Sequence, residues 1–294
     1  MSFLIGLFSG LFGGLVGLGG GVIMIPLMVA FFKFDQHQAH GTSLMALVFT
    51  GLSGAITYYL KGSVDVLAAA VLAAAAIFTA RFGAVSANAL PECKLQTAFG
   101  IFVICVSILL VSKPCLSHLA VLSHPAGGWQ KIAVLLASGA VAGFLSGLSH
   151  PAAGWSKIAA LLASGAVAGF LSGMMGVGGG SIMVPALVLM VGHSQYTAQG
   201  SSLLAMVPGG SVGAYTHWRL GNVVLRVLTG LVPGILIGTY FGGNLAHLLS
   251  EANLRLIFAA VLIWLGLRDI RSAAKKRLLA EARAKAEEEP QLAK

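Results

Sequence analysis

Charged residues are scarce in this sequence. It contains 9 Asp and Glu and 18 Lys and Arg among 294 residues, so 9% of the chain is charged, whereas a typical soluble domain carries about 25%. Because 57% of the residues are hydrophobic and the mean hydropathy is +0.91, the chain is excluded from the soluble globular proteins. Cysteine is also rare: Cys93, Cys105 and Cys115 form no CxxC pair, and we interpret them as apolar filler rather than as a disulfide framework.

Motifs of enzymes and of nucleic-acid binders are lacking as well. No Walker A motif, nucleotide fingerprint, metal-ligand cluster or nucleophile–base pair at usable spacing occurs, so we expect no cofactor, no metal and no enzymatic activity. The net charge of +9 comes from bases that flank apolar segments, which argues against nucleic acid as a partner. The expected partners are a lipid bilayer and a small molecule, and the sequence leaves a homo-oligomer open.

Long apolar runs fill the chain from residue 3 to residue 270. Since a helix needs about 20 apolar residues to cross a bilayer, this length accommodates about eight to ten membrane segments. Residues 66–80 are apolar on every face, unlike the alternating strands of a membrane barrel. The sequence therefore predicts an all-α, polytopic membrane protein.

The chain contains two copies of one ancestral unit. At an offset of 159 positions, residues 14–26 (GLVGLGGGVIMIP) align with residues 173–185 (GMMGVGGGSIMVP), and the register continues without a gap. A second and closer repeat makes residues 124–149 a copy of residues 150–175. We therefore predict a first transmembrane repeat at 1–112, a linker with the duplicated segment at 113–157, a second transmembrane repeat at 158–272 and a basic cytoplasmic tail at 273–294.

Each repeat begins with an apolar segment that glycines interrupt, at residues 3–32 and 158–191. Glycine inside a helix costs about 1 kcal/mol relative to alanine, and Pro26 and Pro185 each remove a further backbone donor. We expect both helices to break near mid-membrane beside a cavity, and paired interruptions of this kind point to the binding site of a transporter.

The course of the interrupted segments decides the topology. If each returns as a re-entrant hairpin, each repeat makes three crossings, and the odd number inverts the second repeat relative to the first. If each segment crosses, inversion requires that the additional copy at 124–149 also spans the membrane. The residues alone leave both possibilities open, although inverted repeats are usual in carriers.

Donors for an anion are concentrated at these breaks and at the starts of the spans that follow, which we expect at residues 41 and 200. Helix N-termini and hydroxyl groups can hold an anion in lipid without a buried cation. The hydroxyls have an alternative role as helix caps, and an arginine within span 66–90 either provides a counter-charge or extends to the interface. The candidate binding residues are Gly19, Gly20, Gly21, His40, Thr42, Ser43, Gly178, Gly179, Gly180, Gln199, Ser201 and Ser202, with Arg81 as the candidate counter-charge.

The doubled motif resembles that of a known transporter family. The run GLGGGVIMIP followed by HGTSL (residues 40–44), repeated as GVGGGSIMVP followed by QGSSL (residues 199–203), is similar to the TauE/SafE family of anion permeases. The resemblance implies a secondary transporter that exports sulfite or organosulfonates by alternating access. The alternative is an anion channel with a glycine-lined filter.

The basic residues of the tail indicate sidedness. Arg268, Arg271 and Lys275 favour a cytoplasmic C-terminus under the positive-inside rule, and we expect a bacterial inner membrane protein. We further expect His193 and His217 in the belt of polar aromatic residues at the membrane interface.

Overall fold

The computed structural model describes residues 1–86, parts of the segment 97–111 and residues 154–292. The duplicated copy at 124–149 lies outside the described residues. Within them the chain is helical with no strand, which confirms the all-α prediction. The helices, numbered in chain order, are α1 (Ser2–Val16), α2 (Gly21–Phe32), α3 (Gln36–Leu60), α4 (Val66–Ser86), α5 (Gly154–Met175), α6 (Gly180–Ala186) with a π-helical turn (Leu187–Val191), α7 (Gln195–Arg219), α8 (Leu225–Leu248) and α9 (Glu251–Leu292).

The helices differ in their capacity to cross a bilayer. Among the described residues, four have the length and apolar character of a membrane span, namely α3, α4, α5 from Lys157 and α8. The helices α1, α2 and the stretch Gly180–Val191 are apolar but shorter. At 1.5 Å per residue, α1 is only about 22 Å long, less than the roughly 30 Å of a hydrocarbon core.

The first interrupted segment turns back instead of continuing across the membrane. Gly20 lies directly against the backbone of Ser9, although a straight helix would separate these residues by about 16 Å. The second segment repeats the arrangement, because a Cβ on Gly179 would lie 3.1 Å from the Cβ of Ala168. Each repeat therefore starts with a helical hairpin, one of the two courses considered for the interrupted segments.

The equivalent helices α3 and α7 run antiparallel. The end of α3 meets the start of α7, where Tyr58 contacts Gln199. In the middle of both helices Gly51 lies against Leu203, and Gly213, near the end of α7, lies against a side chain in the early part of α3. Since these helices occupy the same position in their repeats, the second repeat is inverted relative to the first.

Small residues bring two pairs of parallel helices into close contact, α1 with α8 and α5 with α4. The glycines of α1 at a spacing of four, Gly6, Gly10 and Gly14, lie against the backbone of α8. Their equivalents in α5, Gly165 and Gly169, lie against α4 in the same way. The helices α1, α3 and α8 thus begin at one end of the bundle, which we call the N-terminal end. The helices α4, α5 and α7 begin at the other end, which we call the opposite end.

The helices α3 and α7 begin five residues earlier than expected. Side-chain caps set the starts: Asp35 Oδ1 accepts a hydrogen bond of 2.8 Å from Gln38 N, and Ser194 Oγ accepts one of 3.2 Å from Thr197 N. The first turns are polar, so a search for apolar runs misses them. The predicted boundaries near 112, 157 and 272 stay predictions, and the tail continues as α9 to Leu292.

Candidate functional site

Two glycine turns separate the half-helices. After α1 the chain passes through Gly17, Gly19 and Gly20 with φ values of 75°, 83° and 79°, a left-handed conformation that favours glycine. After α5, Gly176 and Gly178 have φ values of 65° and 90°. The helices through both motifs are therefore broken where the sequence predicted, and α2 and α6 begin at the last glycine of each run.

The two breaks lie against each other in the centre of the molecule. A Cβ on Gly21 would lie 2.7 Å from the carbonyl oxygen of Gly176, and one on Gly180 would lie 2.5 Å from that of Gly17. The N-terminus of each half-helix therefore faces the carbonyl groups of the other repeat's turn. Only glycine allows this approach, because a Cβ would collide with backbone carbonyl groups, which cannot shift as a flexible side chain can.

A symmetric pair of serines connects the breaks to the spans. Ser43 Oγ donates to Gly176 O at 3.0 Å, and Ser202 Oγ lies 3.2 Å from Gly17 O and 2.9 Å from Gln199 O, with one proton for these two acceptors. Both serines are fully buried. Each predicted hydroxyl thus crosses between the repeats to the break of the opposite one.

The neighbouring hydroxyls form a second symmetric pair. Thr42 Oγ1 accepts from Val224 N at 3.0 Å, and Ser201 Oγ accepts from Asp65 N at 2.8 Å. These hydroxyls lie in the second turns of α3 and α7 and do not cap their own helices. They instead receive the N–H of the residue that precedes α8 and α4, respectively.

Tyr58 and His217, another equivalent pair, hold the ends of the hairpin helices. Tyr58 Oη lies 2.9 Å from both Gly14 O and Gln199 Oε1, and His217 Nε2 lies 2.8 Å from Gly173 O. His217 is 1% exposed, so its predicted place in the interfacial belt is wrong. Its ring is buried because a carbonyl group and the amide of Asn222 are available to it.

His40 and Gln199, the polar residues before the hydroxyl pairs, flank the two turns. Gln199 is fully buried with its side chain on Gly17, and the backbone of His40 lies against Gly176. Arg81 is different, because it lies on an exposed face of α4. The structure thus brings together every predicted binding residue except Arg81.

Three buried polar side chains at the breaks lack a complete set of partners among the described residues. Ser9 Oγ, beside Gly20, and Ser181 Oγ, in the first turn of α6, have no hydrogen-bond partner there, and neither does the amide nitrogen of Gln199. The Tyr58 hydroxyl contacts only one of the two polar atoms of the Gln199 side-chain amide. Whichever way this amide is oriented, its other polar atom stays unpaired among the described residues. An unpaired buried polar group costs about 1–3 kcal/mol, which makes this cluster suited to a polar ligand.

Sequence reasoning missed Ser9, Ser181 and Tyr58. Ser181 follows the second glycine run directly, and Tyr58 aligns with His217 across the repeat; both signals are visible in the sequence. Ser9 carries no such signal, because only the turn of the chain brings Gly20 back to it.

The space at the breaks is small. A void of about 10 Å³ borders Gly179, Ser172 and Met206, enough for about one water molecule. A larger cavity of about 590 Å³ lies between α2 and α9 and is lined by Phe12, Ile23, Pro26, Leu27, Ile257, Ala260, Val261 and Trp264. Its lining is apolar and does not suit an anion. The hydroxyls at the breaks are fully buried, so these donors are enclosed in this conformation.

Comparison with known proteins agrees with this architecture. The sequence model of the family described as "Sulfite exporter TauE/SafE" matches residues 2–165 and again residues 161–293. The chain belongs to the TauE/SafE family. The two matches follow the two repeats, and the protein is a membrane transporter rather than an enzyme.

Curated relatives of the TauE/SafE protein come from bacteria. The chain is 28% identical over 277 residues to "Probable membrane transporter protein YunE" of Bacillus subtilis, with 90% of this chain and 96% of the relative covered. It is 25% identical over 246 residues to "Probable membrane transporter protein YdhB" of the same organism, with 82% and 88% covered. No solved structure matches the chain.

Proposed function

We propose that this protein is a secondary transporter that exports small sulfur-containing anions, such as sulfite or organosulfonates, by alternating access. The observation that carries the proposal is the meeting of two inverted helix breaks whose half-helix N-termini and buried hydroxyls surround one point. The first-turn N–H groups of a helix have no acceptor within it and carry partial positive charge. An oxyanion is the ligand that such donors prefer.

We propose that the substrate contacts the glycine turns and the serines that reach them. The binding residues would be Gly19, Gly20 and Gly21 with Ser43, together with their repeat equivalents. In the enclosed conformation Ser43 Oγ donates to Gly176 O, and Gly17 O and Gln199 O both lie within hydrogen-bond distance of Ser202 Oγ. When the repeats separate, these hydroxyls would donate to the substrate instead. The same hydroxyls would therefore hold the repeats together in the empty protein and bind the anion in the loaded one.

Sidedness follows from the distribution of cations over the two ends. The N-terminal end carries Lys33, Arg219 and Arg226 together with the basic part of α9, whereas the opposite end carries Lys61, Lys157 and Arg255. The positive-inside rule therefore supports a cytoplasmic N-terminal end, with the C-terminus on the same side. Arg81 lies toward this end of α4, where an arginine can extend to the interface.

The enclosed breaks favour a carrier over a channel, because a filter would require a continuous path past the glycines. Counterflow distinguishes the two. Proteoliposomes loaded with unlabelled sulfite should accumulate external ³⁵S-sulfite transiently if the protein is a carrier. Discrete conductance steps in a planar bilayer with no counterflow would indicate a channel, and neither signal with sulfite, isethionate or sulfoacetate would contradict the proposal.

A further inference from the structure

A contact between a carboxylate and an imidazole at the opposite end of the bundle connects three elements. Asp65 Oδ1 caps α4 by accepting from Ala68 N at 2.9 Å, and Asp65 Oδ2 lies 3.0 Å from His193 Nε2. His193 follows the π-helical turn, and its backbone N–H donates to Leu187 O. Through its own N–H, Asp65 also holds Ser201 on α7. The pair thereby fastens the end of the second hairpin to α4, next to a hydroxyl of the candidate site.

The first repeat has no such pair at the corresponding place. The equivalent of Asp65 is Val224, and the equivalent of His193 is Phe34. Val224 N still donates to Thr42, so the backbone contact between repeats does not require ionisable side chains. The Asp65–His193 contact is therefore present at one end of a symmetric design and has no equivalent at the other.

We propose that Asp65 and His193 form a proton-binding site, and that a proton bound there holds the opposite end of the translocation path closed. Imidazole is the side chain that gains its proton between about pH 5 and 8, and the imidazolium attracts the Asp65 carboxylate more strongly than the neutral ring does. The side chains are 33% and 23% exposed, so protons reach them from water at that end. This inference rests on the proposed function and adds to it the ion that opens or closes this end.

In this proposal, opening at this end separates His193, which follows the second hairpin, from Asp65 at the start of α4. By linkage, a ligand that binds the closed state better shifts the protein toward that state. Protonation therefore opposes opening at the opposite end, and loss of the proton favours it. A partly exposed ion pair contributes about 0.2–1 kcal/mol, so the effect on the populations is modest.

Other titratable groups lie at this end and need controls. Glu251 pairs with Arg255 and accepts from Gln195 N. His247 contacts Gly243 O and Ser63 Oγ, and its ring stacks on Tyr196. Lys61 and Lys157 complete the charged groups at this end in the described part of the chain. His247 is the main rival, because it is a second imidazole beside the same loop.

The first repeat provides the natural substitution for a test, His193→Phe. ³⁵S-sulfite counterflow is measured from about pH 5.5 to about pH 8 for the wild type and the variant, so that the ionisation of sulfite affects both equally. The ratio of wild-type to variant flux should rise about two- to fivefold with pH. Asp65→Val should give the same result, whereas the ratio of wild-type to His247→Gln flux should not change with pH. A constant or falling ratio for His193→Phe overturns the proposal.

A second measurement does not depend on transport. The difference in melting temperature between the wild type and His193→Gln should be larger at about pH 5.5 than at about pH 8, because an imidazolium attracts the Asp65 carboxylate more strongly than a neutral ring does. Equal differences overturn the proton site. If the wild type carries no sulfite while the melting difference depends on pH as expected, the proton site stands and the transport proposal fails.

Discussion

At the scale of single residues, the junction between the repeats depends on small side chains that reach carbonyl groups in the other repeat. Ser43 and Ser202 do this at the breaks, and glycines allow the backbones to touch. The sequence identified these residues, since their chemistry and their repetition are visible. It did not reveal that their hydrogen bonds cross between repeats, because that depends on the antiparallel arrangement of α3 and α7.

Replacing either serine with alanine should weaken both closure and transport. Ser43→Ala leaves the buried oxygen of Gly176 without its donor, which should cost about 1–3 kcal/mol, and it removes a proposed substrate contact. We expect a lower melting temperature and reduced ³⁵S-sulfite counterflow, with Ser202→Ala behaving alike. Ser211→Ala is the control, because Ser211 is exposed and bonds only to Val207 O in its own helix. Wild-type flux in the two site variants would contradict the assignment.

Adding one methyl group at a break should prevent the repeats from meeting. A Cβ on Gly21 would lie 2.7 Å from Gly176 O, and a backbone carbonyl cannot yield as a flexible side chain does. Such overpacking costs about 1–3 kcal/mol, so Gly21→Ala should lower the melting temperature and the counterflow rate. Gly210→Ala is the matched control in a buried helix, because its Cβ would meet only Val48 at 3.6 Å. Similar losses in both variants would argue against a special role for the break.

At the scale of elements, α9 compensates for the proline in α2. Pro26 has no N–H for the carbonyl of Val22 four residues earlier. Arg268 fills this place, since its Nη1 donates to Val22 O at 2.8 Å while Nε and Nη2 contact Asp269. The sequence showed the proline and the arginine but not their connection, because 246 residues separate Val22 from Arg268.

A double-mutant cycle tests this connection. Arg268→Met should destabilise the protein strongly when Pro26 is present and less in a Pro26→Ala background, where the helix provides its own donor. The coupling free energy should be about 1–2 kcal/mol, measured from urea or thermal unfolding in detergent. The cost of removing the contact between Arg268 and Asp269 occurs in both backgrounds and cancels. A coupling near zero would mean that Arg268 does not act through the Val22 carbonyl.

Helix boundaries were predicted less well than helix identity. The apolar runs located each spanning helix, but the polar first turns of α3 and α7 depend on the caps Asp35 and Ser194. The re-entrant course of the interrupted segments was one of two open alternatives. Contacts such as Gly20 with Ser9 decide it, and these form only when the chain folds back.

At the scale of the whole molecule, the inverted repeats direct the described helices so that α1 begins and α9 ends toward the same end of the bundle. The charge distribution supports the cytoplasm for that side. Single-cysteine variants at Ser2 and Arg271, in a background without the three native cysteines, should be shielded from a membrane-impermeant maleimide in intact cells and labelled after permeabilisation. A cysteine at Lys61 should be labelled in intact cells. Labelling of Ser2 and Arg271 variants on different sides would contradict the topology.

The central claim is that the two meeting breaks form one binding site for a sulfur oxyanion or sulfonate. The most direct measurement is the melting temperature of the purified protein with sulfite, isethionate, sulfoacetate and chloride. A ligand that binds the folded state raises this temperature. We predict that at least one sulfur anion raises it for the wild type and for Gly210→Ala, while chloride does not, and that Gly21→Ala and Ser43→Ala lose the shift. An equal shift in all four proteins, or none with any sulfur anion, would contradict the account.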